Sequence, residues 1–181
     1  KKVPLKTKVE ELIQSNGFKT RVYFQNDAIA ASLAEGWIGG ARGLKSFCVI
    51  TVGTGIGTGV ILNGRPCHTN GMGSEFGHLY LDLHGLGIPV EERGPATVEG
   101  IASGTALLRR ARARGFEGNS VEGLVKLHAL YLPAVKKHYA ELIQAFNPAF
   151  TCPLTIAKTK NQAGVIGAGF LPFLETQQRL H

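Results

Sequence analysis

Asn26 and Asp27 adjoin at the end of TRVYFQND, where an extended stretch gives way to an alanine-rich run. A carboxylate at such a junction can take the proton of an attacking hydroxyl, and the amide beside it can fix another hydroxyl of the same ligand. Asn and Asp are also common helix N-caps, and taken alone the pair favours capping. Glu75 and His78 stand three apart in the glycine-flanked GSEFGH, where both could reach one polar ligand. As a metal pair they are weak, because a closed site needs two more nitrogen or sulfur ligands nearby. Such a pair is more often structural. Glu99, in TVEGIASG, adds an acid just before a helix.

The fourth element is CVITVGTGIGTGVILNGR, with glycine at 53, 55, 57 and 59 between runs of β-branched residues. Glycine weakens a strand, so this cluster implies close approach of something to the backbone. A dinucleotide fingerprint needs a helix after its glycines, and here Val60-Ile61-Leu62 and an Asn-Gly turn follow. A P-loop needs a lysine that is absent. Two readings stay open: a hairpin bend whose N–H groups, with the Thr54 and Thr58 hydroxyls, meet a phosphate, or a hairpin packed on a neighbouring backbone.

The elements that must position these residues follow from periodicity. Residues 7–16 read as a helix with Val9, Leu12 and Ile13 on one face, stopped by Asn16-Gly17. TRVYF (20–24) reads as a short strand and Ala28–Trp37 as a helix ending at Gly39-Gly40. Strands are expected at 47–52, 59–62 and 78–83, with a tight turn at Asn63-Gly64. Helices are expected over 105–114, capped by Ser103, and over 134–146, burying Val135, Tyr139, Leu142, Ile143 and Phe146. A last helix carries small residues that permit close packing. The alternation is that of an α/β protein.

A net charge of +7 eases the binding of anions without naming one. The arginines at 109, 110, 112 and 114 form no single stripe and read as a solvated helix face. No segment approaches the ~18 apolar residues of a membrane span, and the start of the chain has no signal-like apolar run. Cys48, Cys67 and Cys152 are few and widely spaced, which fits a reducing cytoplasm better than a disulfide framework.

In order, NDAIAA, GTGIGTG flanked by strands, NGMGSEFGH and VEGIASG resemble the ROK family of sugar kinases and repressors. That family lies in the actin-like, ribonuclease-H-like superfamily. The resemblance is dense over 21–108 and resumes at 145–148 and 153–170. It implies a two-lobe α/β fold, here incomplete, with 1–43 the remainder of the smaller lobe, 44–165 the larger lobe and 166–181 a C-terminal helix. It also implies that Asp27 is the base acting on the sugar hydroxyl, that Asn26, Glu75, His78 and Glu99 bind sugar hydroxyls, and that Gly53, Thr54, Gly55 and Gly57 bind nucleotide phosphates. The expected activity is ATP-dependent phosphorylation of a hexose, foremost glucose at its 6-hydroxyl, in the cytoplasm. Magnesium would accompany ATP, and a homodimer is expected; nucleic acid is not an expected partner.

The chain departs from the family at several points. Ile29 replaces a second Asn. The cysteines of the family's zinc loop fall on Val90, Glu92 and Thr97, so structural zinc is not expected. The metal-holding DxGGT motif is missing, and a block is missing between about Phe150 and Cys152. The alternatives to a kinase are a sugar-binding regulator without turnover and an inactive truncated kinase, in which case a full-length form would phosphorylate sugar where the 181-residue chain would not.

Overall fold

A computed structural model describes residues 3–67, 74–81, 88–118, 128–146, 152–159 and 162–178. Contacts divide the chain into two compact units. The first comprises Lys1–Val49, Gly59–Cys67 and Ala157–His181; the second comprises Ile50–Thr58 and His68–Ile156.

In the first unit α1 runs from Leu5 to Ser15 and stops at Gly17, whose φ of 86° suits the left-handed end of a helix. Its expected apolar face is not buried: Leu12 is 63% exposed. The strand expected at 20–24 does not form. A strand exists only through a ladder partner, and here the Val22 N–H donates to the Glu10 carboxylate (3.2 Å) instead of to a neighbouring strand.

Helix α2, Asp27–Trp37, is the centre of this unit, with every residue from Ala28 to Glu35 buried. One side, Ile29 and Leu33, meets Ile61, Leu171, Tyr23 and Phe47. Fully burying aliphatic side chains of this size contributes about 1.5–3 kcal/mol each. The other side, Ala31 and Ala34, meets Ala163 and Ile166 of the last helix, α6 (Ala163–Gln178). The packing is close enough that a Cβ on Gly167 would strike the Ala30 carbonyl, which is the approach that the small residues of α6 predict.

At the far end of α2, Glu35 is buried at 3% exposure. Its carboxylate accepts from the Gly40 N–H (2.6 Å), the Thr159 N–H (2.6 Å) and the Thr159 hydroxyl (2.5 Å). Burial pushes the carboxyl up, but the Thr159 hydroxyl and the Thr159, Gly40 and Lys158 N–H groups outweigh it and hold the group below its ordinary 4.5. A depressed folded-state value gives stability that is complete above the ordinary value and is lost as pH falls through the depressed one. Glu35→Gln should therefore cost about 1.5–3 kcal/mol at neutral pH and much less in acid. Urea unfolding of both proteins at the two pH values checks this; an equal difference at both would exclude the carboxylate as the cause.

A three-stranded sheet is ordered β1 (Phe47–Val52), β2 (Ile56–Leu62), β3 (Arg65–Pro66). Strands β2 and β3 pair antiparallel, Leu62 opposite Arg65. Asn63 and Gly64 join them with φ of 51° and 76°, the doubly left-handed turn expected of Asn-Gly.

The second unit holds the bend between β1 and β2, single turns of 3₁₀ helix at Phe76–His78 and Val90–Glu92, and helices α3 (Val98–Ala102), α4 (Gly104–Ala113) and α5 (His128–Phe146). Ser103 caps α4 by accepting from the Ala106 N–H. Of the expected strand at 78–83, Tyr80 makes an isolated bridge to Thr97, while 82–83 lie outside the described residues, as do 147–151. Helix α5 starts at His128 and runs through Pro133, earlier than the expected start at 134. Val135 and Leu142, expected to be buried, are exposed. No helix among the described residues is long and apolar enough to cross a membrane.

Candidate active site

Asn26 is the N-cap of α2: its Oδ1 accepts from the Ala28 N–H (2.9 Å) and the Ile29 N–H (3.1 Å). Capping therefore falls to the asparagine. Asp27 is the first helical residue, exposed, with its Oδ1 accepting from the Ala28 N–H at 2.9 Å. The Asn26 Nδ2 remains as a donor beside that carboxylate. Both residues belong to the first unit.

In the second unit the remaining candidates are arranged around the start of β2. Glu75 precedes the Phe76–His78 turn and His78 ends it, with His78 Nε2 and Glu75 Oε2 3.8 Å apart. The turn is seated on β2 in two ways. The Phe76 N–H donates to the Thr58 Oγ1 (3.1 Å), and Gly77 lies against the Ile56 carbonyl, where a Cβ would collide. Glu99, in the first turn of α3, reaches the same strand: its Oε2 accepts from the Ile56 N–H at 2.9 Å. Thr97 caps α3 through the Gly100 N–H (3.0 Å). Thr58, which the sequence offers as a phosphate hydroxyl, is buried at 5% exposure and supports the Glu75–His78 turn instead.

The glycines of the cluster are bare for different reasons. A Cβ on Gly59 would strike the Ser32 hydroxyl and the Ala28 carbonyl of α2, so this glycine serves packing. A Cβ on Gly55 would strike the Glu99 carboxylate, whereas Gly53 has open space around it. The bend is tied to the start of α4: the Gly53 carbonyl accepts from the Gly104 N–H (2.8 Å), and the Thr54 carbonyl from the Thr105 hydroxyl (2.6 Å). The Gly53 N–H is spent on the Gly55 carbonyl (3.0 Å) and the Ile56 N–H on Glu99. Within 53–56, the Gly53 and Ile56 N–H groups are thus engaged inside the protein.

The arginine run is solvated only in part: Arg112 and Arg114 are exposed, whereas Arg109 and Arg110 are half-buried. Arg109 donates to the Gly100 carbonyl (2.8 Å) and Arg110 to the Ile101 carbonyl (2.5 Å), which holds α3 from behind. Arg114 grips Glu92 with two contacts of 3.1 Å. Glu92, at one of the positions where the zinc loop would have a thiol, is buried and neutralised by that grip. Nothing in the local sequence signals these contacts, which span nine to 22 residues. No three His, Cys, Asp or Glu side chains among the described residues cluster so as to hold a metal ion.

Comparison with known proteins gives a consistent set of relatives. The ROK family matches residues 1–123. The chain is 39% identical over 109 residues to a glucokinase of Halalkalibacterium halodurans, covering 60% of this chain and 31% of that one. It is 36% identical over 128 residues to a glucokinase of Thermotoga maritima, covering 70% and 35%. In structure it is similar to a ROK hexokinase from Thermus thermophilus, with a TM-score of 0.69 and 26% identity over 97% of this chain and 71% of that one. The chain spans about a third of the length of these curated relatives.

Proposed function

This chain belongs to the ROK family and has part of its actin-like α/β fold; from that premise we propose that it serves the ATP-dependent phosphorylation of a hexose, glucose at its 6-hydroxyl, in the cytoplasm. The observation that carries the reading is the division of labour at the start of α2. Asn26 supplies the cap, so the adjoining carboxylate of Asp27 stands exposed and is not needed to finish the helix.

In this reading the hydroxyl proton passes to an Asp27 oxygen as the sugar oxygen attacks the terminal phosphorus. A bond forms from that oxygen to phosphorus, the bond to the leaving nucleoside diphosphate breaks, and sugar phosphate and ADP result. Asn26 Nδ2, Glu75, His78 and Glu99 hold the other hydroxyls, and the bend at 53–57 holds nucleotide phosphates. Phosphoryl transfer depends on alignment and charge more than on covalent help from the protein, and rigidly seated carboxylates such as Glu99 supply that alignment.

The relatives named glucokinase support glucose as the substrate. The test is coupled ATP consumption by the whole protein with glucose, mannose, fructose and N-acetylated hexosamines, beside calorimetric sugar binding. Glucose should give the highest kcat/KM. Sugar binding with no sugar-stimulated ATP consumption would replace the kinase with a regulator.

A further inference from the structure

Gly55 belongs to the stretch assigned to nucleotide phosphates, yet its immediate neighbour is a carboxylate. Glu99 Oε2 lies where a Cβ of residue 55 would be, and the same oxygen accepts from the N–H of the next residue, Ile56, at 2.9 Å. One oxygen of Glu99 is thus fixed against the bend, and Oε1 is the oxygen left to accept from a ligand hydroxyl. The carboxylate springs from a fixed base. It projects from the first turn of a helix that is capped by Thr97 at one end and whose Gly100 and Ile101 carbonyls are held by Arg109 and Arg110. Gly100 is itself wedged against the Pro95 carbonyl.

We propose that Gly55 is a positioning residue for the sugar: its missing side chain is the space in which Glu99 is set, so a substitution there acts on sugar affinity through Glu99. The proposal rests on the reading of Glu99 as a sugar ligand. It departs from the assignment of Gly55 to the nucleotide alone, which places the effect of any side chain at 55 on ATP.

The arrangement also makes Ile56 a shared anchor. Its N–H holds Glu99, and its carbonyl is the surface on which Gly77 seats the Glu75–His78 turn. A shift of this residue therefore displaces ligands contributed by two loops at once. A Cβ at 55 moves Glu99 first, because the carboxylate is the closer neighbour, and lengthens the Ile56 contact second.

The test uses the whole protein with Gly55→Ala, Glu99→Gln, their combination, and Gly55→Ala with Glu99→Asp, each checked for folding by circular dichroism. Glucose Kd is read by calorimetry without nucleotide, and KM for ATP by coupled assay. Gly55→Ala should weaken glucose binding by about ten- to a hundredfold, the worth of one charge-assisted hydrogen bond, with a smaller change in KM for ATP. The loss should not add to that of Glu99→Gln, since both act through one carboxylate. The shorter Glu99→Asp side chain, which withdraws from the new methyl, should restore part of the affinity in the Gly55→Ala background. A folded Gly55→Ala protein with unchanged glucose Kd and a raised KM for ATP would overturn the inference and leave the sugar-kinase reading standing. A folded Glu99→Gln protein that binds glucose as tightly as wild type would remove Glu99 from the sugar site and the inference with it.

Discussion

Asp27→Asn in the whole protein should lower kcat for hexose phosphorylation by about 10²–10⁴-fold, the usual contribution of a positioned base. Sugar affinity and melting temperature should change little. The expectation of an intact fold comes from the helix start: the cap is Asn26, and an asparagine at 27 keeps the oxygen that accepts from the Ala28 N–H. What it loses is the ability to accept a proton as the hydroxyl attacks. Coupled ATP consumption, calorimetry and a thermal melt separate the possibilities. Turnover at the wild-type rate would exclude Asp27 as the base, and a large fall in melting temperature would make its role structural.

The second large effect concerns stability. Gly167→Ala puts a methyl into the Ala30 carbonyl of α2, and backbone cannot swing aside as a side chain can. Forcing two such helices apart costs about 1–3 kcal/mol, a fall in melting temperature of roughly 2–12 °C for a chain of this size. The same substitution at Gly169, on the same helix with open space around it, should be neutral or stabilising by up to about 1 kcal/mol, because alanine is the better helix former. The melting temperature should therefore fall for the first variant and stay level or rise for the second. Gly167→Ala melting at or above wild type would show that α2 and α6 are not held together by this approach.

The parts of the molecule legible in the sequence are those encoded within a few residues. The Asn26 and Ser103 caps, the Asn63-Gly64 turn and the stop at Gly17 each depend on chemistry local to the chain. The strand expected at 20–24 was not a local matter, because its existence depends on a partner's carbonyls and the Val22 N–H found Glu10. The glycine cluster shows the same limit. That something must approach the backbone was readable, but Gly55 meets a carboxylate 44 positions on, and Gly59 meets a helix 27 residues back through Ser32. Two of the four glycines were thus bare for reasons that no local motif contains. Arg109 and Arg110 misled for a related cause: spacing on α4 describes where side chains start, and these two end on the carbonyls of α3.

The pairing of α2 with α6 joins elements near opposite ends of the chain. During synthesis the alanine face of α2 leaves the ribosome long before the helix that covers it, so the first unit cannot close until Ala163–Gln178 has itself emerged. Ribosomes stalled midway should hold a nascent chain whose α2 is open to chaperones and proteases, and protection of that helix should arise late and in a single step.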